Sequence, residues 1–477
     1  MIHFRCDEIF AALCEVKMKT VFVRLHTTAD EIIPPLNYGY LSSSISDKNT
    51  LIFDQLRDRD SDTDLIKKII YEKPDILGFS AYTKDISFVK RFVTQLRSSL
   101  PNTTIVLGGV QITLMPVETF KYLDGLIDYG FKGESELAFK QFTDKLPRPG
   151  DNLDSFDNLI WLKDGQVTEN ALIPPKNLDE LPFPRWDLMP PGTYPKAPHG
   201  AFYKQFPYAP LITSRGCPYP CTFCSAGFIS GKKIRYRCIE NVIDEIKYLN
   251  KNFNVKEIHI EDDNFSMEKE RVVDFCESLM RTNLNITWAL PNGLRLDSLD
   301  LEVLKLMTRA GCYSVNVGVE SGNESRLKLI KKKITKETIK EKIALVKQAG
   351  MDIGGFFIIG FPGETRKEIE QTLKFTTELE LDRIGISYFQ PYPGTEDFKQ
   401  LLNDKQYSFD LENAHHSLHT ISFIPDGMSY NAIKILRFKG FLKFYFRPKI
   451  FLQLIKTIKS FEHLKFILKR GLRWLTS

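Results

Sequence analysis

The chain has no stretch of about 18 uncharged apolar residues, the length a helix needs to cross a bilayer. Its first residues carry Arg5, Asp7 and Glu8 where a secretory leader would have an apolar run. Neither a membrane span nor a signal peptide is expected. Paired cysteine spacing of the disulfide-scaffold kind is also missing. Of eight cysteines, Cys6, Cys14, Cys238, Cys276 and Cys312 are scattered, which argues for a reducing, cytoplasmic setting. At 477 residues the chain exceeds one compact core, so two or three domains are expected. Apolar and charged fractions of 43% and 26% are those of a soluble globular protein.

Acidic residues are scarce in one segment. Residues 428–477 hold twelve Lys or Arg against one acid, Glu462, so this segment carries +11 and the remainder −6 within a net charge of +5. The basicity is local, and nucleic-acid binding by the protein as a whole is not implied. Phe438, Phe441, Phe444, Tyr445, Phe451, Phe466 and Trp474 interleave with the basic residues. The pattern fits an amphipathic helix on an anionic membrane, or a helical cap packed on the preceding domain with a solvated basic face.

What is present from Lys19 onward is an alternation of short apolar runs (TVFVRL, TLIFD, DILGFSA, TIVLGG, LIDYGF) with helix-like stretches. Such alternation predicts a parallel sheet covered on both faces, with ligands at the carboxyl ends of its strands. Those ends read Thr27 to Tyr40, Ser80 to Asp85, Gly108 to Pro116 and Gly130 to Glu136. Residues 147–210 then hold twelve of the 25 prolines, which predicts an extended connection with few regular elements. Phe183, Trp186 and Leu188 would dock it against a domain. A second alternation follows in VKEIHIEDDNF, ITWALPNGLRLD, CYSVNVGVESGN, DIGGFFIIGFPGET and RIGISYFQPYPGT. Parallel strands closing around a centre give a partial barrel, with its chemistry at the strand carboxyl ends. Polar residues gather there: Glu261, Asp262, Asp263, Asn264, Asn292, Arg295, Glu320, Ser321 and Glu364. Tyr388, Gln390 and Tyr392 at the last strand are candidate substrate-facing groups.

Between the two alternations lies SRGCPYPCTFCSA, with Cys217, Cys221 and Cys224. Soft thiolates select iron-sulfur clusters or zinc, and a complete cluster site takes four. Three thiolates therefore hold a cluster with one iron left open; the other reading is a structural zinc site completed by Cys238 or a distant histidine.

The spacing Cys-x-x-x-Cys-x-x-Cys, with Phe223 before the last cysteine, resembles the cluster loop of the radical S-adenosylmethionine superfamily. The PPLNYGYLSSSI, PDILGFSAYT, IVLGGVQITLMPVE and IDYGFKGESE segments resemble the cobalamin-binding domain that precedes the barrel in one large branch of it. The resemblance implies an α/β chain: a doubly wound, Rossmann-like cobalamin-binding domain over 18–146 and a proline-rich linker over 147–205. A partial TIM-type (β/α)6 radical barrel over 206–400 and a helical basic region over 401–477 complete it. It implies a 4Fe-4S cluster on Cys217, Cys221 and Cys224. It implies S-adenosylmethionine contacts from Arg295 to the carboxylate, Glu320 and Ser321 to the ribose or amine, and the backbone around Phe223 and Gly360 to the adenine. Asp262 and Asp263 stand where the family often has a Gly-Gly-Glu motif for the amine, and EDDNF departs from it. Arg295 also has a plain structural reading, an ion pair with Asp297. Cobalamin would meet Ser80, Thr83, Gly108, Gly109, Gln111, Gly133 and Glu134. The Asp-x-His-x-x-Gly spacing that supplies a lower cobalt ligand elsewhere is missing, and His26 does not occupy it.

The activity implied is a cobalamin-dependent radical methyltransferase acting on an unactivated carbon of a small molecule, served by an electron donor such as flavodoxin or ferredoxin. Alternatives are a radical oxidative cyclase or other rearrangement and, of a different class, a non-catalytic cobalamin or redox sensor whose tail contacts a partner. Localisation is expected to be cytoplasmic, with a peripheral membrane contact through the tail as the further option.

Overall fold

In the computed structural model the described residues are 18–26, 32–45, 49–147, 151–196, 202–295, 297–414, 417, 419–456, 458, 460–461, 463–465 and 467–468. The first half builds a sheet ordered β2-β1-β3-β4-β5-β6-β7. Its strands are β1 Thr20–Arg24, β2 Thr50–Asp54, β3 Ile76–Ser80, β4 Thr104–Gly108, β5 Tyr129–Phe131, β6 Leu159–Lys163 and β7 Gln166–Glu169. The first five are parallel, with Thr20 opposite Thr50 on one side and Ile76 on the other. Successive residues of β1 serve opposite faces. Val21 and Val23 pack with Leu65, Ile69, Val89, Phe92 and Val93 of the helices Asp62–Glu72 and Ile86–Arg97. Phe22 packs with Tyr38, Phe139 and Phe142 of the helices Leu36–Ser44 and Glu136–Asp144. A sheet buried on both faces needs apolar residues at every position, which is why these strands read as continuous hydrophobic runs. The order turns direction between β1 and β3, and the crevice at such a switch point is the ligand side of the sheet.

The proline-rich connection holds more regular structure than its composition suggests, because β6 and β7 form an antiparallel hairpin that extends the first sheet. Beyond it, Trp186 is fully buried in the second core and its Nε1–H donates to Glu245 at 3.0 Å. Tyr194 donates from its hydroxyl to Asp54 of β2 at 2.9 Å. Leu188 packs on the first domain, and the Phe183 ring lies 6.1 Å from that of Tyr248. One segment is thereby pinned to both domains.

The second sheet has six parallel strands in chain order: β8 Tyr208–Leu211, β11 Glu257–Ile260, β12 Thr287–Leu294, β13 Cys312–Glu320, β14 Asp352–Ile359 and β15 Arg383–Tyr388. Amphipathic helices such as Ile239–Phe253 and Lys269–Arg281 cover it. β8 and β15 stay at the edges, so the barrel is open. Between β8 and β11 a two-stranded ribbon, β9 Ser214–Arg215 against β10 Arg235–Tyr236, clamps the ends of the cysteine loop.

The helix Tyr430–Tyr445 packs on β15 and on the helix Arg366–Glu378. It buries Ile433, Leu436, Phe441 and Phe444, and also Arg437, whose Nε–H donates to Ile386 O at 2.8 Å under the Tyr388 ring. Part of the basic segment is thus a cap on the barrel. The expectations for Lys459, Phe466, Lys469, Arg470, Arg473 and Trp474 lie outside the described residues, as do those for 27–31. No helix among the described residues is long and apolar enough to cross a membrane.

Candidate functional site

The carboxyl ends of the two sheets open on one cavity of about 830 Å³. From the first sheet come Ser80, Thr83, Gly108, Gly109, Gly133 and Glu134; facing them are Ser214, Arg215, Ser225, Ser230, Asp263 and Asn292 of the barrel, with Tyr392. Glycines interrupt the side chains of the wall on the first side. Gly109 has φ +95, and a Cβ there would lie 2.7–2.8 Å from Ser80 Oγ and the Ala81 backbone. Only glycine suits that geometry, and at neighbouring Gly108 a Cβ would meet only Phe79 O, at 3.8 Å, so a flat ligand can approach the chain there. This wall fits the corrin expected there.

Several predicted contacts turn away from the cavity. Gln111 is fully buried and donates from Nε2 to Thr119 Oγ1 at 3.0 Å beneath the helix Pro116–Leu123. Glu134 faces the cavity, yet its carboxylate is held by Arg215 Nη1 at 2.9 Å and by Arg235 Nη2 at 2.6 Å. Arg215 also reaches Glu136 at 2.8 Å and lies over the Tyr40 ring. Two acids and two bases from two domains thus meet in one buried cluster. Sequence reading missed the arginines because their partners are some 80 to 100 residues away.

The cysteine loop leaves the ribbon through Gly216, which has φ +102 and would place a Cβ 2.6 Å from Lys233 O. Its amide donates to Asp263 Oδ2 at 3.2 Å. Asp262, its neighbour, is saturated by Thr213 N, Thr213 Oγ1 and Ser214 Oγ at 2.5–2.6 Å. It ties the end of β8 to that of β11, so its carboxylate is engaged within the fold. Burial raises all three thiols, Cys224 to about 11, while positive charge on Lys332 and Arg295 pulls Cys217 and Cys221 back. Among the described residues no group of three His, Cys, Asp or Glu side chains converges to hold one metal ion. A donor set of three thiols on one loop fits a cluster, in which each thiolate takes a different iron. Cys238 is engaged elsewhere, its Sγ accepting from Asn241 N at the start of the helix Ile239–Phe253.

Beside the loop, Arg295 holds Asp297 through Nη2 at 2.7 Å, donates to Lys332 O at 2.7 Å, and stacks 3.8 Å over the Tyr219 ring. The structural ion pair is therefore formed. Glu320 has φ +64 at an irregularity of β13, and Lys332 Nζ holds its carboxylate at 2.8 Å. A non-glycine residue in that region is strained, and such strain gathers at functional sites. Lys332, part of a plain Lys-Lys-Lys run, carried no sequence signal. Ser321 is buried and turned toward Thr372 Oγ1 at 3.1 Å, away from the loop. Phe223 rests on Phe361, ring centroids 5.8 Å apart, and Gly360 adjoins Ile433 of the cap helix. Of the last strand's candidates, Gln390 is occupied by Thr420 O at 2.6 Å and Tyr388 by Arg437, which leaves Tyr392 on the cavity.

Glu364 is buried, its Oε2 accepting from Gly360 N at 2.6 Å and Phe361 N at 3.0 Å while Oε1 has no partner. Burial pushes it up to about 7. A carboxyl raised in the folded state favours the protonated form, so its contribution is full below the ordinary carboxylate range and is lost as pH rises through 7. Glu364→Gln should accordingly melt higher than the parent at pH 8, with the gap closing by pH 5 in thermal unfolding scans.

Comparison with known proteins matches residues 25–143 to the B12 binding domain and residues 211–376 to the radical SAM superfamily. An uncharacterized methyltransferase of Pyrococcus horikoshii is 33% identical over 447 residues, 93% of each chain. The anaerobic magnesium-protoporphyrin IX monomethyl ester cyclase of Rubrivivax gelatinosus is 26% identical, over 91% of this chain and 79% of its own. The cobalamin-dependent S-adenosylmethionine radical enzyme OxsB, solved with aqua-cobalamin and S-adenosylmethionine bound, superposes with a TM-score of 0.73. It is 20% identical, covering 98% of this chain and 72% of that one, and shares the fold. With both domains matched and a full-length relative at this identity, the chain belongs to the radical S-adenosylmethionine superfamily, in the branch whose barrel follows a B12-binding domain.

Proposed function

We propose that this enzyme transfers a methyl group to an unactivated carbon of a small molecule. The observation that carries the reading is the shared cavity, on which the glycine-lined strand ends of the first domain and the mouth of the barrel both open. When bound, the cluster with S-adenosylmethionine supplies a 5′-deoxyadenosyl radical, and cobalamin supplies the methyl group. The chain's own part is to bind, orient and shield. Cys217, Cys221 and Cys224 would hold the cluster, and positive charge on Lys332 and Arg295 offsets part of the burial that raises Cys217 and Cys221. Gly108 would leave room for the corrin, beside Gly109 and Gly133 whose positive φ shapes the strand ends, while Asp263, Asn292 and Tyr392 line the side open to substrate.

Anaerobic reconstitution followed by an assay for 5′-deoxyadenosine tests the enzyme against a sensor, which would form none. A methyl-deuterated S-adenosylmethionine then separates methylation from ring closure. The 26% identity to the cyclase over 91% of the chain favours keeping ring closure as the second reading, and it predicts 5′-deoxyadenosine without label in the product. Metabolites that accumulate when the protein is absent identify the substrate.

Two finer points belong to this reading. His26 is exposed, its backbone N–H bonded to Gln55 Oε1, so on this reading cobalamin, when bound, would take no ligand from it. His26→Ala should leave the bound cofactor's absorbance and EPR unchanged, and nitrogen hyperfine coupling from a protein histidine would contradict this. The exposed side of the cap helix and of the helix Pro448–Lys456 after it sets Phe438, Phe451, Leu452 and Ile455 among Lys439, Lys443 and Lys449, which supports a peripheral contact with an anionic membrane. Salt-sensitive co-sedimentation with anionic vesicles is expected, and its absence at low salt removes the point.

A further inference from the structure

Around the cysteine loop the surface has a composition that the chemistry above does not use. Phe228 and Leu329 are 40% and 62% exposed, unlike the apolar side chains of the barrel core. Exposed lysines lie on the same segments: Lys232 and Lys233 after the loop, Lys328, Lys331 and Lys333 beyond β13, and Lys399 on the helix Glu396–Asn403. These three segments converge on the loop itself. Thr222 N donates to Ile330 O at 3.2 Å, and Thr222 Oγ1 donates to Asp397 Oδ2 at 2.9 Å. Cys217 N donates to Gly231 O at 3.1 Å, and Lys399 Nζ lies 5.6 Å from the Phe228 ring. The exposed carboxylate among them, Glu396, is neutralised by Lys331 at 2.6 Å.

We infer that this lysine-rich face is the docking surface for an acidic one-electron carrier protein of the flavodoxin class, which delivers its electron to the cysteine loop beneath. The inference rests on the cluster reading given above. An apolar centre within a rim of one charge sign matches a partner with an apolar contact patch in an acidic field, and the rim governs encounter rate and salt dependence. Placement gives the face its use, since one hydrogen bond separates the lysine-bearing segment from the loop. In the step itself one electron leaves the reduced carrier and enters the cluster held by the three thiolates, with no bond made or broken.

The test compares Lys328→Glu/Lys333→Glu and Lys232→Glu/Lys233→Glu with a control, Lys251→Glu/Lys256→Glu, on the far end of the barrel. Binding of oxidised flavodoxin to the reconstituted protein is measured by calorimetry, and cluster bleaching by reduced flavodoxin is followed by stopped flow. Both rim variants should bind more weakly and be reduced at least about tenfold more slowly at low salt, with the parent losing rate as salt rises. Titanium(III) citrate, a small reductant, should reduce all four proteins equally and support the same 5′-deoxyadenosine yield. Equal flavodoxin binding and reduction in parent and rim variants would overturn the inference while leaving the activity standing. So would an equal loss in the control, or rim variants that lose anionic-vesicle binding and keep flavodoxin. A protein that takes up no iron at all overturns both.

Discussion

Alanine at Cys217, Cys221 or Cys224 is expected to abolish the cluster, whereas alanine at Cys238, Cys276 or Cys312 leaves iron content and the reduced-cluster EPR signal at the parent level. The first three share one loop, clamped at its ends by the β9–β10 ribbon, so loss of one thiolate would leave only two donors on the loop for a cluster. The others have ordinary employment. Cys276 and Cys312 are buried in the barrel core, where burial holds their thiols protonated. Cys238 caps a helix. Retention of a normal cluster after loss of any of the three would sink the assignment, and loss of iron on mutating Cys238 would revive the zinc-type site that includes it.

The two sheets were legible in the sequence because a strand buried on both faces must be apolar through its centre, and β1, β3 and β4 are, at 21–23, 76–79 and 105–107; period and length then separate them from the amphipathic helices between. The cysteine loop was legible because its donors are adjacent. The hairpin β6–β7 was not, since prolines on either side hid two short strands whose pairing partner, β5, is itself three residues long. At the site, one cause runs through the candidates that the fold turns elsewhere. Strand-end position says which residues are near a ligand but not which way they turn: Gln111 and Ser321 turn into cores, and Asp262 is consumed in tying β8 to β11. Arg215, Arg235 and Lys332 went unread because a basic residue acquires meaning only from a partner distant in sequence.

That distant partnership has the second large effect. Glu134→Ala is expected to destabilise the protein by about 3–5 kcal/mol, the usual cost of leaving a buried charge without its partner. It is also expected to lower cluster occupancy on reconstitution. Glu134, Arg215 and Arg235 are 8%, 9% and 12% exposed, so solvent does little to replace the lost carboxylate. Arg215 keeps Glu136 as a partner, while Arg235 retains the carbonyls of Pro175 and Ser230 and loses its carboxylate. The damage therefore falls on β10, the strand that closes the cysteine loop, and a defect begun in the first domain reaches the iron site in the second. Glu134→Gln, which keeps one acceptor oxygen, should lose less. A double-mutant cycle with Arg235→Ala separates the pair from general loosening: the two substitutions together should cost clearly less than their sum. Strict additivity, with iron content unchanged in Glu134→Ala, would mean that the loop is held by its own ribbon and takes nothing from the first domain.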